Sequence, residues 1–103
     1  MGKQKKSLPV EWDIYEKENF KKLLKDIKKR SENLAQRIKE RVKENLNLVQ
    51  QNPKMFEADS LRINNDDSFR KFTAIHIRLV YKIDPDKIII VRVRHAASEP
   101  SEY

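Results

Sequence analysis

Apolar residues recur along this chain in two rhythms. From Phe20 through Leu23, Leu24 and Ile27, and again from Leu34 through Ile38, Val42, Leu46 and Val49, they fall three or four residues apart, the spacing that places side chains on one face of an α-helix. From Ile75 the interval drops to two: Ile75, Ile77, Leu79, Tyr81 and Ile83 alternate with His76, Arg78, Val80 and Lys82, and β-branched residues crowd Ile88 to Val93. The pattern predicts two amphipathic helices followed by a sheet.

Punctuation between the runs sets the boundaries. Val10 to Ile14 alternates apolar with acidic and predicts a short first strand, with Asp13 as N-cap of the helix that follows. Ser31 is the next cap, separating the Lys28-Lys29-Arg30 end of the first helix from the second, which stops before Asn52-Pro53 because proline disfavours helical backbone in the preceding residue. Residues 54–67 read as a covering loop with a strand-like piece around Leu61 and a turn cluster at Asn64-Asn65-Asp66-Asp67. The runs 69–74, 76–83 and 87–95, the last two joined by Asp84-Pro85-Asp86-Lys87, predict an antiparallel meander. The fold class is therefore α+β, an N-terminal α-hairpin packed on a small antiparallel β-sheet.

At 103 residues the chain accommodates one modest core, read as a flexible basic arm over 1–8, with Lys3, Lys5 and Lys6, and a single domain over 9–103. A net charge of +7 favours partners rich in phosphate or carboxylate. Cysteine is absent, so disulfides and thiol chemistry are excluded and a reducing cytoplasm is the expected location. No apolar run suits a signal peptide or the roughly 20 residues of a membrane span.

Strand alternation locates the charge. From Ser68 to His95 there are seven Lys or Arg against two acids. With the apolar sets turned to the helices, Arg78, Lys82, Arg92 and Arg94 are expected on the open face, joined by Arg70 or Lys71. Like charges on neighbouring strands repel, so this face predicts an anionic partner, with Arg70, Lys71, Arg78, Lys82 and Arg92 as nucleic-acid-binding residues. Arginines in the last strand suit bidentate phosphate contacts.

The chemistry is sparse. Two histidines without cysteine, and without a carboxylate at metal-ligand spacing, predict no metal, and no cofactor is expected. The single glycine, Gly2, excludes Gly-rich phosphate loops, and no serine sits in a nucleophile elbow. RNA cleavage through its own 2′-hydroxyl needs only a base, an acid and cations, roles open to His95, Tyr103 and the arginines. His95, on the core-facing parity, also reads as a hydrogen-bonded structural residue.

Two helices before an arginine-rich meander, the Arg-x-x-Tyr-x-Ile-Asp run of Arg78, Tyr81, Ile83 and Asp84, and the ending Arg92-x-Arg94-His95 followed by Glu99-Pro100 together resemble the RelE/ParE superfamily of bacterial toxins over roughly residues 9–103. The resemblance implies a toxin of a type II toxin–antitoxin system, linked to plasmid stabilization and neutralised by a cognate antitoxin that wraps it. RelE-like members cleave mRNA on the ribosome, and this is the first reading of the sequence: it would make the chain an endoribonuclease with Arg78, Arg92, Arg94, His95 and Tyr103 as catalytic residues. ParE-like members poison DNA gyrase, and the His-x-x-x-acid-Pro tail is similar to theirs, with Ser98 where they often carry arginine. A non-catalytic nucleic-acid-binding module is the third reading.

Overall fold

Each helix begins where a side chain offers its first amides an acceptor. In the computed structural model, which describes residues 7–98, Asp13 Oδ1 accepts from the Tyr15 and Glu16 N–H groups at 2.9 and 3.1 Å, opening α1 (Ile14–Arg30). Ser31 closes α1 through its N–H to Ile27 O and opens α2 (Glu32–Gln51) by accepting from Leu34 N–H at 3.1 Å. One residue thus serves both ends, which folds the helices into a hairpin without a loop. Asn52 leaves the helical region, at φ −144° and ψ 82°, ahead of Pro53.

The sheet has the order β1-β4-β3-β2, built from β1 (Val10–Trp12), β2 (Phe69–Ala74), β3 (Ile77–Ile83) and β4 (Ile88–His95). Strands β2, β3 and β4 form the antiparallel meander, while β1 pairs with β4 in parallel, so the sheet is mixed. A parallel partner needs a long connection, and the helical hairpin lies within it. Ile75 departs from the alternation: with His76 it forms the two-residue turn between β2 and β3, at φ 61°. A β-branched residue in the left-handed region is costly, and contact of the half-buried Ile75 with the core offsets that cost.

Strand β4 carries a second departure. Ile90 pairs with Tyr81 and Arg92 with Val80, leaving Val91 as a β-bulge. Before the bulge Ile88 and Ile90 face the core, and after it Val93 does, although strict alternation would group Ile88 and Ile90 with Arg92 and Arg94.

The core lies between α2 and the sheet. Ile38, Val42 and Val49 meet Phe72, Leu79, Tyr81, Ile88, Ile90 and Val93, none more than 4% exposed. Each such aliphatic side chain contributes about 1.5–3 kcal/mol. Helix α1 has no fully buried residue and adds Phe20, Leu23, Leu24 and Ile27 from the margin, with Trp12 stacked on Phe20 at 5.3 Å. Leu8 is fastened to α2, its N–H donating to Gln50 O and its carbonyl accepting from Gln50 Nε2. Lys3, Lys5 and Lys6 of the expected arm lie outside the described residues.

Residues 52–68 cover part of the sheet. The expected strand-like piece at Leu61 is instead a bridge at Ala58 opposite Arg70, supported by Asp59 N–H to Phe69 O and Lys71 N–H to Glu57 O. Asn65 organises the turn cluster, accepting from the Asp67 and Phe69 N–H groups and donating to Phe69 O. Arg62 lies over the Phe69 ring at 3.6 Å.

Candidate functional site

Register fixes which basic residues share a side of the sheet. Arg78 pairs with Arg94 and with Thr73, and Val80 pairs with Arg92 and with Lys71, so Arg78, Arg92, Arg94 and Lys71 lie on one side with Lys82. Arg70 pairs with Tyr81 and belongs to the opposite side, its guanidinium held by the Asp67 and Phe56 carbonyls at the sheet's margin. His95 pairs with Ile77 and also faces away from Arg94, against Leu23, Asp26, Ile27 and Arg30 of α1. Its ring stacks on His76 at 6.0 Å, and its Nδ1 accepts from Ala97 N–H at 3.3 Å, which places the neutral ring's proton on Nε2. Tyr103 lies outside the described residues.

The arginine side of the sheet is not the open face expected from alternation. Arg78 is 5% exposed and pairs with Asp59, itself 1% exposed, beneath the covering segment, and Val80 is fully buried beside it. The physical reason is the loop: Asp59 is carried over the sheet by the Ala58 bridge and also accepts from Leu61 N–H at 3.1 Å. A buried guanidinium requires such a partner.

The neighbouring cations are also paired within the chain. Lys71 meets Glu57 at 2.5 Å, Arg70 meets Asp67 at 3.3 Å, Lys82 meets Asp84 at 3.4 Å and Lys87 meets Glu11 at 3.3 Å. Arg92 is half-buried and also engaged. The Lys71 ammonium, by hydrogen bond and by charge, holds the Glu57 carboxyl below its ordinary range, and hydrogen bonds from Ser68 do the same for Asp66.

Arg94 shows how the helix completes the sheet. Beyond Trp12 strand β1 ends, and β4 would present an unpaired edge. Helix α1 supplies side chains in its place: Glu16 Oε1 accepts from Val93 N–H at 2.9 Å and from Arg94 Nη1 at 2.5 Å, and Asn19 Nδ2 donates to Val93 O at 2.5 Å. The sequence assigned Glu16 no role, and Asp59 sits in a stretch without periodicity. The signal available for Asp59 was composition, since residues 54–67 hold four acids against two bases beside a strongly basic sheet.

Two grooves flank the helices. Val10, Trp12 and Phe20 face Val42 and Leu46 across an apolar groove bordered by Lys39 and Lys43. A second, basic groove lies between α1 and α2 themselves. Among the described residues no three or more metal-ligating side chains converge, and no helix is long and apolar enough to cross a membrane.

Comparison with known proteins agrees with this architecture. A family model described as the ParE toxin of the type II toxin–antitoxin system, parDE, matches residues 10–100, from the first residue of β1 past the end of β4. No curated protein matches the chain. With most of its length matched and a helical hairpin followed by the sheet, the chain belongs to the ParE toxin family, within the RelE/ParE superfamily of type II toxin–antitoxin toxins.

Proposed function

We propose that this toxin arrests growth by engaging DNA gyrase, in the manner of ParE-like proteins, and not by cutting mRNA. The observation that carries the reading is the disposal of the residues an RNA-cleaving site would need. Phosphoryl chemistry on RNA requires a base, an acid and cations aimed at one phosphate. Here Arg78 is buried against Asp59, Arg94 is tied to Glu16, and His95 lies on the other side of the sheet. A protein target makes no such demand for convergence. The His95-x-x-x-Glu99-Pro100 tail, similar to that of ParE-like members, supports the same choice.

Gyrase and the ribosome are both cytoplasmic, and the cysteine-free composition suits that compartment. The antitoxin that the family implies would lay an amphipathic, acidic segment into the groove of Trp12, Phe20, Val42 and Leu46, its carboxylates meeting Lys39 and Lys43. Covering an apolar groove with basic borders matches the chemistry such a partner needs.

The test combines two assays on the purified toxin. With gyrase and supercoiled plasmid, linear DNA should accumulate once the enzyme is denatured, and primer extension on mRNA from a reconstituted translation reaction should show no new ends. Cuts within the ribosomal A site that vanish in Arg94→Ala would transfer the activity to mRNA cleavage and overturn the proposal. Arg78→Ala is a poorer probe, because it strands buried Asp59. In cells, expression of the chain alone should slow growth, and co-expression of the antitoxin should relieve it.

A further inference from the structure

The groove between α1 and α2 has no sheet residue in its lining and encloses roughly 600 Å³. Lys21, Lys25 and Lys28 of α1 form one wall, Lys39 of α2 stands on the other, and Leu24 and Ala35 make the floor. Its carboxylate, Glu32, is exposed and only 3.9 Å from Lys28, while Lys21 meets Glu18 at 3.5 Å with both side chains more than 60% exposed. Lys25 and Lys39 have no carboxylate within 4 Å among the described residues. The sheet's cations are neutralised by the fold, whereas these are left to solvent.

Three features select the ligand. Lysines four and three residues apart on α1 stand about 6 and 4.5 Å apart along the axis at 1.5 Å per residue. That spacing lets each reach a different phosphate of a strand whose charges recur about every 3.4 Å of duplex axis. The floor is too poor for a helical peptide, which needs a row of apolar pockets, because only half-buried Leu24 and buried Ala35 are offered. No aromatic ring lines the groove, so the stacking that holds single-stranded nucleic acid is missing.

We propose that the groove between α1 and α2 binds the phosphate backbone of duplex nucleic acid, with Lys21, Lys25, Lys28 and Lys39 as its contacts. Binding is independent of sequence, since nothing in the groove reads a base edge. The proposal does not rest on the gyrase reading, because it concerns the toxin alone with nucleic acid.

Fluorescence anisotropy of a short labelled DNA duplex, titrated with the full chain across a salt series, tests it. Four phosphate contacts predict a slope of about −3.6 log units of affinity per decade of salt. The triple variant Lys21→Gln/Lys25→Gln/Lys39→Gln should weaken binding at least about tenfold and make the slope shallower by about 2.7, each phosphate left without its lysine accounting for about 0.9. The control Lys17→Gln/Lys54→Gln/Lys87→Gln changes net charge equally outside the groove and should leave the slope in place. Equal loss in both variants would reduce the effect to net charge and overturn the proposal. So would flat salt dependence in the parent protein, tighter binding of a single strand, or displacement of the duplex by polyglutamate at equal charge, which would assign the groove to an acidic protein.

Discussion

Two basic regions of this toxin carry the same excess of charge and dispose of it in opposite ways. From Ser68 to His95 seven Lys or Arg stand against two acids, and from Ile14 to Gln51 eleven stand against six, an excess of five in each. On the sheet Arg70, Lys71, Arg78, Lys82, Lys87 and Arg94 each meet a carboxylate within 4 Å, and five of those carboxylates, Glu11, Glu16, Glu57, Asp59 and Asp67, come from outside the segment. On the hairpin the only carboxylate pairs among the described residues that lie within the two helices join Lys21, Lys28 and Lys29 to near neighbours in sequence, all exposed. Charge counted along a segment therefore says little about its final field. Counter-ions brought in by the fold decide which surface remains positive.

The contrast can be broken most forcefully at Asp59. Asp59→Ala strands a buried guanidinium and should cost about 3–5 kcal/mol in urea unfolding, whereas the double variant Asp59→Leu/Arg78→Met should recover most of that loss. A cost under about 1 kcal/mol for the single variant would mean that the sheet's charges are no more committed than those of the helices. Next in size is Glu16→Ala, which leaves Val93 N–H and Arg94 without their acceptor and should cost about 1–3 kcal/mol, read in the same assay.

Tyr81 sharpens the comparison from the alkaline side. Burial pushes its hydroxyl up to about 12, with the nearby Arg70 charge pulling part of the way back. The unfolded chain releases that proton near pH 10 and the folded chain near 12, so the contribution is complete below pH 10 and falls away as pH rises to about 12. Tyr81→Phe removes the 2.7 Å hydrogen bond to Pro53 O, should cost about 1 kcal/mol at neutral pH and should lack this alkaline decline relative to the parent. The smallest effect belongs to the hairpin: Glu18→Gln, which breaks the exposed pair with Lys21, should change stability by less than about 0.5 kcal/mol.

Much of the fold was legible because its signals are local. Asp13 and Ser31 cap where they stand in sequence, and Pro53 ends a helix by a clash with its own neighbour. The meander followed from alternation for the same reason. What escaped was set by tertiary geometry: the parallel return of β1, the turn that takes Ile75 out of its strand, and above all the passage of Asp59 over Arg78. For the candidate site, alternation could place Arg78, Arg92 and Arg94 on a common side, but no rule of period reveals whether a loop will close over one of them.

The bulge at Val91 makes β4 a strand in which counting matters more than chemistry. Its two halves alternate out of phase, and the single surplus residue lets Ile90 and Val93 point inward while Arg92 and Arg94 point outward. Taking that residue into the alternation without a bulge would invert everything after it, driving two guanidinium groups among the aliphatic side chains and expelling Val93 to water. Deleting Val91 would bring Arg92 directly after Ile90, opposite the consecutive residues Val80 and Tyr81, and so would keep the facing of Arg92, Val93 and Arg94 while removing only the local kink.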